Sequence, residues 1–383
     1  MNSSERRSAL ALASIMSLRM LGLFMVLPLF SLYAQQLKGA TPALIGLSLG
    51  IYGLTQAFFQ IPFGIWSDKV GRKHVITLGL IIFVLGSLLA ACAHTIEGMM
   101  MGRALQGVGA VGSTIMALLA DLTRENQRTK AMAIIGMTIG VSFSLAMLLG
   151  PLLNPWIHVN GIFVLAAGMG VLAIFILYKM VAEPTHHIHL DLEQHSFLMV
   201  LKMPELIRLN SGIFILHMIF TASFVVIPIG LQNNGISENH QWIVYLPTLI
   251  FAFICTAFCI ITAEKTHRLK LFFLSAIFIL GCAELFFGLF STHIPAAAFS
   301  LFLFFTGFSI LEAFLPSFIS KTAPPARKGT ALGIYSCSQF LGIFAGGLFG
   351  GWLYGMLGPT AVYLFCTLLT ILWATIAFGV KNP

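Results

Sequence analysis

Gly64-Ile65-Trp66-Ser67-Asp68-Lys69-Val70-Gly71-Arg72-Lys73 gathers one acid, three bases and two glycines where two apolar runs, 42–66 and 74–93, meet. Each run is long enough to cross a bilayer core, which takes roughly 20 apolar residues. A charged segment flanked this way reads as a tight polar turn joining two membrane-spanning helices. Its glycines permit a sharp reversal and close helix approach. An acid at position 68 can sit near the positive end of a neighbouring helix, and an arginine at 72 can clasp a second carboxylate with two parallel hydrogen bonds.

The same pattern of runs continues in both directions. Apolar stretches occur near 9–34, 42–66, 74–93, 96–120, 131–153 and 161–181, and again near 207–230, 241–263, 270–290, 296–319, 330–354 and 359–379. Twelve spans follow. Hydrophobic residues make up 58% of the 383 positions and charged ones 9%, against roughly 25% charged in soluble domains, so lipid is the expected solvent for most of the chain. The net charge of +8 would prompt a nucleic-acid partner, but its distribution gives a better account. With twelve spans, 18 of the 21 Lys and Arg residues fall in segments on one side of the membrane, and only Lys38 falls on the other. The positive-inside rule makes that side cytoplasmic and places both termini there. The basic start at Arg6 and Arg7 precedes an apolar run reaching about Tyr33, longer than a signal-peptide core, so it is expected to stay as the first span.

The fold expected is an all-α membrane protein of twelve transmembrane helices in two pseudo-symmetric six-helix halves: residues 1–182, a cytoplasmic linker 183–206, and residues 207–383. The turn after span two has an echo after span eight, where Glu264-Lys265-Thr266-His267-Arg268 repeats the acid, base and arginine of Asp68-Lys69-Val70-Gly71-Arg72. The linker carries His186, His187, His189 and His195; with no second ligand cluster it reads as a solvated tract rather than a metal site. The six cysteines all lie in apolar runs without CxxC spacing and are expected to pack rather than react.

Charges inside the spans are few. Arg19 lies in span one, Arg103 in span four, Glu284 in span nine and Glu312 in span ten. An arginine within hydrocarbon costs at least ~2.5 kcal/mol on insertion scales, so it normally faces the protein interior and has a partner. Two bases in the first half balance two acids in the second. Desolvation disfavours an ionised carboxyl, so either acid can carry a proton; Glu312 leads, with Glu284 second. His217 in span seven can also titrate. Tyr52, Gln56, Gln60 and Gln339 are candidate polar contacts for a substrate among Phe, Met and small residues.

The residues of the 64–73 turn, Gly64, Asp68, Lys69, Gly71, Arg72 and Lys73, match G-x3-D-[RK]-x-G-[RK]-[RK] and resemble the signature of the major facilitator superfamily. That resemblance implies a cytoplasmic gate, in which the acid faces the start of span eleven near Gly329 and Thr330 and the arginine pairs with an acid at the end of span four, here Asp121. Arg103-Ala104-Leu105-Gln106-Gly107 is similar to the R-x-x-Q-G element of proton-coupled members. Ala146-Met147-Leu148-Leu149-Gly150-Pro151 resembles the G-x3-G-P of the drug:proton antiporter branch, with Ala146 replacing its first glycine; small residues there allow close packing, and Pro151 frees a backbone carbonyl. Ser17-Leu18-Arg19-Met20-Leu21-Gly22, Ala120-Asp121-Leu122-Thr123-Arg124-Glu125 and Ser338-Gln339-Phe340-Leu341-Gly342 look like the bacterial YajR-type transporters. Those carry a soluble domain after span twelve, whereas this sequence ends at Pro383, so regulation through such a domain is not expected.

The resemblance implies a proton-driven exporter of small amphiphilic or drug-like molecules in the bacterial inner membrane. Its partners would be a small-molecule substrate, protons and membrane lipids; it would use no cofactor beyond the proton gradient, no metal and no nucleic acid, and act as a monomer. A second reading is proton-coupled traffic of a siderophore-like or other anionic metabolite, with Arg19 and Arg103 meeting the anion. Enzyme chemistry would need a nucleophile with its base or a metal-ligand set; no GxSxG, HExxH or Walker pattern occurs. No catalytic residue is expected.

Overall fold

The structure, a computed structural model, describes residues 1–182, 199–290, 292–324 and 327–380, with the side chains of Glu125 and Thr129 also outside the description. The histidine tract of the linker lies outside the described residues. The helices are α1 (Ser3–Phe24), α2 (Leu27–Ala34), α3 (Pro42–Val70), α4 (Arg72–Ala91), α5 (Ile96–Val108), α6 (Gly112–Asp121) and α7 (Glu125–Met180), followed by α8 (Pro204–Asn233), α9 (Trp242–Lys265), α10 (Leu269–Phe290), α11 (Ile294–Thr322), α12 (Lys328–Leu357) and α13 (Pro359–Phe378). Among the described residues no strand forms; one isolated bridge joins Lys38 to Thr95.

Eleven stretches of described helix are long and apolar enough to cross a membrane. The 56-residue α7 is the one that counts twice. At ~1.5 Å per residue it would be about 84 Å long if straight, almost three times a hydrocarbon core. It breaks at His158 (φ 55°, ψ 175°), just past Pro151 and Pro155, so it supplies the two spans that the sequence separates there. The opposite situation occurs twice. The first span is divided between α1 and α2, with the break at Met25 and Val26 ahead of Pro28. The fourth is divided between α5 and α6 at Gly109–Val111. Large apolar side chains cover the outside, with Phe258 70% and Phe278 72% exposed, as expected of a surface bathed in lipid rather than water.

The chain forms two compact units, one of Met1–Ala40 with Ile51–Asp191 and the other of Thr41–Gly50 with Leu192–Pro383. The first turns of α3 join the second unit because glycines let backbones touch. A Cβ on Gly46 would lie 2.6 Å from the Gly351 Cα, and one on Gly50 3.1 Å from the Phe344 Cα. This is small-xxx-small packing at i, i+4 spacing.

The two units repeat one helix-pairing scheme: α1 with α7, α4 with α5 and α4 with α7 in the first, and α8 with α12, α10 with α11 and α10 with α13 in the second. Their helix ends are closed the same way. Lys73 Nζ donates to the Val181 carbonyl (2.7 Å) and Arg7 to the Lys179 carbonyl (3.4 Å). Lys270 Nζ donates to the Phe378 carbonyl (2.8 Å) and Arg208 to the Gly379 carbonyl (2.9 Å). In each unit two cations satisfy carbonyls orphaned at the end of the sixth or the twelfth crossing.

The span-five motif explains the tightest pairing in the first unit. Ala146 is fully buried, and a Cβ on Gly150 would strike the Met25 carbonyl, so α7 rides directly on the break between α1 and α2. Gly150→Leu should cost about 1–3 kcal/mol through overpacking, read as a lower melting temperature and a broadened size-exclusion profile in detergent. A variant melting with the wild type would refute this close approach.

Candidate functional site

The charged turn ends α3 and starts α4 through Gly71, whose φ of 103° and ψ of 136° suit glycine alone. Its counterpart in the second unit is His267, at φ 54° and at the same offset as the sequence echo. Both turns thus place a positive φ at the same offset, but the ion cluster is not repeated: Glu264, Lys265 and Arg268 are exposed. In the first unit the side chains turn inward. Arg72, 2% exposed, pairs with Asp68 and, through Nε at 3.1 Å, with Asp121 Oδ2. Its NH1 donates to Ser67 Oγ at 2.7 Å. Three helices, α3, α4 and α6, are thus pinned at one guanidinium. Gly64 lies against Ser113 of α6, whose hydroxyl donates to the Gln60 carbonyl at 2.8 Å. Lys73 is turned away from the cluster to cap α7, with its ammonium 5.9 Å from the Tyr178 ring centroid; Lys69 is exposed.

A second clasp on this face was not among the sequence candidates. Glu5 takes two hydrogen bonds from the Arg124 guanidinium (2.8 and 3.1 Å) and a third from the Arg124 backbone N–H at 3.1 Å. The local half of this arrangement is legible, because Asn2-Ser3-Ser4-Glu5 is a capping box and both of its bonds form at 2.8 Å. The other half depends on a residue 119 positions away.

Deeper in the first unit, Arg19 and Arg103 are both fully buried. Arg19 donates from NH2 to Gln56 Oε1 at 2.9 Å and lies 5.9 Å from the Phe83 ring centroid. Arg103 donates to Gln106 Oε1 at 2.9 Å, with its guanidinium 4.4 Å from the Tyr52 and 5.7 Å from the Phe30 ring centroids, within cation–π range. Gln106 Nε2 continues to Ser87 Oγ at 2.8 Å, and Ser87 to the Phe83 carbonyl at 2.7 Å. Tyr52 and Gln56, candidates for substrate contact, therefore hold the two arginines from one face of α3. Gln60, also buried, lies one turn further along.

The second unit contains the two acids. Glu284 of α10 is fully buried and accepts from Ser223 Oγ at 2.7 Å. Glu312 of α11 is more open, with 34% of its side chain exposed, and lies 3.8 Å from His217 Nε2. Gln339 of α12 joins them, its Nε2 lying 2.9 Å from His217 Nε2 and 3.3 Å from Glu312 Oε1. The other ring nitrogen of His217 is 3.3 Å from the Ile213 carbonyl. One tautomer satisfies all of this, with Nδ1–H donating to the carbonyl and Nε2 accepting from Gln339. In that tautomer the two amide hydrogens of Gln339 are shared between the imidazole and the carboxylate.

The sequence profile of the Major Facilitator Superfamily matches residues 12–347 and 209–383. The inner membrane transport protein YajR of Escherichia coli (strain K12) is 42% identical over 386 residues, spanning 100% of this chain and 85% of that protein. The multidrug resistance protein MdtL of Klebsiella pneumoniae (strain 342) is 33% identical over 172 residues, 43% of this chain and 42% of the relative. A crystal structure of a bacterial homologue of the human lysosomal transporter Spinster, inward-facing and occupied, superposes with a TM-score of 0.80 at 15% identity, covering 99% of this chain and 97% of that one.

Proposed function

The chain belongs to the Major Facilitator Superfamily, and from that premise we propose that it is a proton-coupled secondary transporter exporting small amphiphilic molecules by alternating access. It is a multi-pass membrane transporter and not an enzyme. The proposal adds the bacterial inner membrane as its location, cytoplasmic termini, a cytoplasmic gate at Asp68, Arg72 and Asp121, two six-helix halves and a functional monomer. The proton gradient alone supplies the energy, without a cofactor.

The observation that carries the coupling is the group Glu312, Gln339 and His217. Among the described residues a carboxylate there has no arginine or lysine partner: its neighbours are an amide and an imidazole. Protonation at Glu312 removes a charge that this surrounding does not neutralise, so proton occupancy can bias the equilibrium between two arrangements of the helices. Partial exposure lets the group exchange protons with water. Glu284, sealed behind Ser223, lacks that access. The multidrug resistance relative supports the amphiphilic substrate class.

The reading is tested in inverted membrane vesicles. Acidifying their interior should drive accumulation of an amphiphilic dye, and collapsing the pH gradient should release it. Accumulation that ignores the gradient would remove proton coupling.

A further inference from the structure

Both arginine-bearing crossings of the first unit are divided into two helices. The break at Met25 follows Arg19 by six residues, and the break at Gly109 follows Arg103 by six. The helices α3 and α4 of the same unit run unbroken.

The two arginines and the glutamine beside Arg19 leave donors unused. Arg19 Nε and NH1, Arg103 Nε and Gln56 Nε2 are buried without hydrogen-bond partners. All four atoms are nitrogens that donate. Within the unit the other described acids lie elsewhere: Asp68 and Asp121 are held by Arg72, Glu5 by Arg124, and Glu97 sits in the first turn of α5. Two buried guanidinium ions thus meet amides and aromatic rings, and no carboxylate of their own unit. A buried cation paired only with neutral groups is costly and acquires an anion where one can reach it. Tyr52 and Gln56, one turn apart on α3, each hold one of the two arginines, so both guanidinium groups address the same face of that helix. The rings of Phe30, Tyr52 and Phe83 complete the lining.

We propose that Arg19 and Arg103 form a two-point site for the oxyanion of an amphiphilic organic acid, with the three aromatic rings taking its apolar body. The inference rests on the transport reading above and names its substrate class: molecules with one negative charge on an aromatic or aliphatic frame, rather than lipophilic cations. The unpaired nitrogens donate to the oxyanion, and Gln56 and Gln106 keep the guanidinium planes in place while they do so.

The test reads binding without transport. Purified protein in nanodiscs of phosphatidylcholine is titrated with 2-naphthoate, its methyl ester and 2-naphthylmethylammonium. Naphthoate should bind at least ~10-fold tighter than the ester, the loss expected when a charged hydrogen-bonded contact is removed, and the ammonium should bind weakest. Arg19→Gln and Arg103→Gln should each erase the preference for the acid, and Arg103→Lys should retain part of it. Equal affinity for acid and ester in the wild type would overturn the proposal without recourse to any variant, as would a preference that survives both glutamine substitutions. Displacement of naphthoate by phosphatidylglycerol, with no acid preference left once that lipid is present, would assign the arginines to a lipid headgroup and also overturn it. A chain that prefers naphthoate yet ignores the pH gradient would leave this site standing and sink the coupling; gradient-driven dye flux without acid preference would do the reverse.

Discussion

Glu312→Gln should abolish gradient-driven accumulation, by at least ~10-fold, while leaving downhill exchange of substrate across the same vesicles close to wild type. The substitution keeps the shape of the side chain and presents it permanently without charge, as the protonated acid is. Gln339 Nε2, 3.3 Å from Glu312 Oε1, finds an amide oxygen in the same place. The variant then interconverts between its two arrangements without a proton to bias them, and that bias is all that coupling requires. Glu284→Gln serves as the comparison. Its carboxyl is fully buried and accepts from Ser223, and an amide oxygen can accept the same bond, so coupling should persist. Undiminished accumulation in Glu312→Gln would transfer the proton to another group. Loss of both accumulation and exchange would mean that Glu312 holds the fold and not the proton.

Local chemistry made most of the architecture legible, and long-range chemistry hid the rest. Twelve crossings follow from apolar length and from where the bases fall, and the 56-residue α7 divides at His158, between the two apolar runs. Gly71 needed its positive φ for the tight turn, and the acid–base echo led to His267 in the second unit. By contrast, the breaks at Met25–Val26 and Gly109–Val111 lie inside single hydropathic runs with no dip at the break, because hydropathy measures transfer to lipid and is blind to a local change in backbone path. The packing of Thr41–Gly50 with the second unit depends on Gly347 and Gly351, some three hundred residues on. Gln56 and Gln339 are candidate solute contacts, and a lone amide in a span shows no partner in the sequence. In the structure each holds an ionisable group of its own unit. The clasp of Glu5 on Arg124 has the same origin: the helix cap was readable, its distant cation was not.

Arg72→Gln is expected to be the most damaging substitution at the charged turn. The guanidinium is 2% exposed and Asp121 1% exposed, so neither charge is solvated by water to a useful degree. Removing the cation leaves Asp121 buried without compensation and takes away the partner of Asp68, and breaking a buried pair from one side costs about 3–5 kcal/mol. Ser67 also loses its bond from Arg72, which loosens the junction of α3, α4 and α6 together. The melting temperature in detergent should fall by several degrees, and a cysteine at the exposed Lys69 should be labelled faster. Removing both charges in Arg72→Gln/Asp121→Asn should recover much of the loss, because the stranded carboxylate disappears with its partner and the two substitutions are then far from additive. Asp121→Asn alone should be milder than Arg72→Gln, since Asp68 still neutralises the arginine. If Arg72→Gln melted with the wild type, or if the double variant lost the sum of the two single losses, the cluster would be a set of independent surface charges and no latch at all.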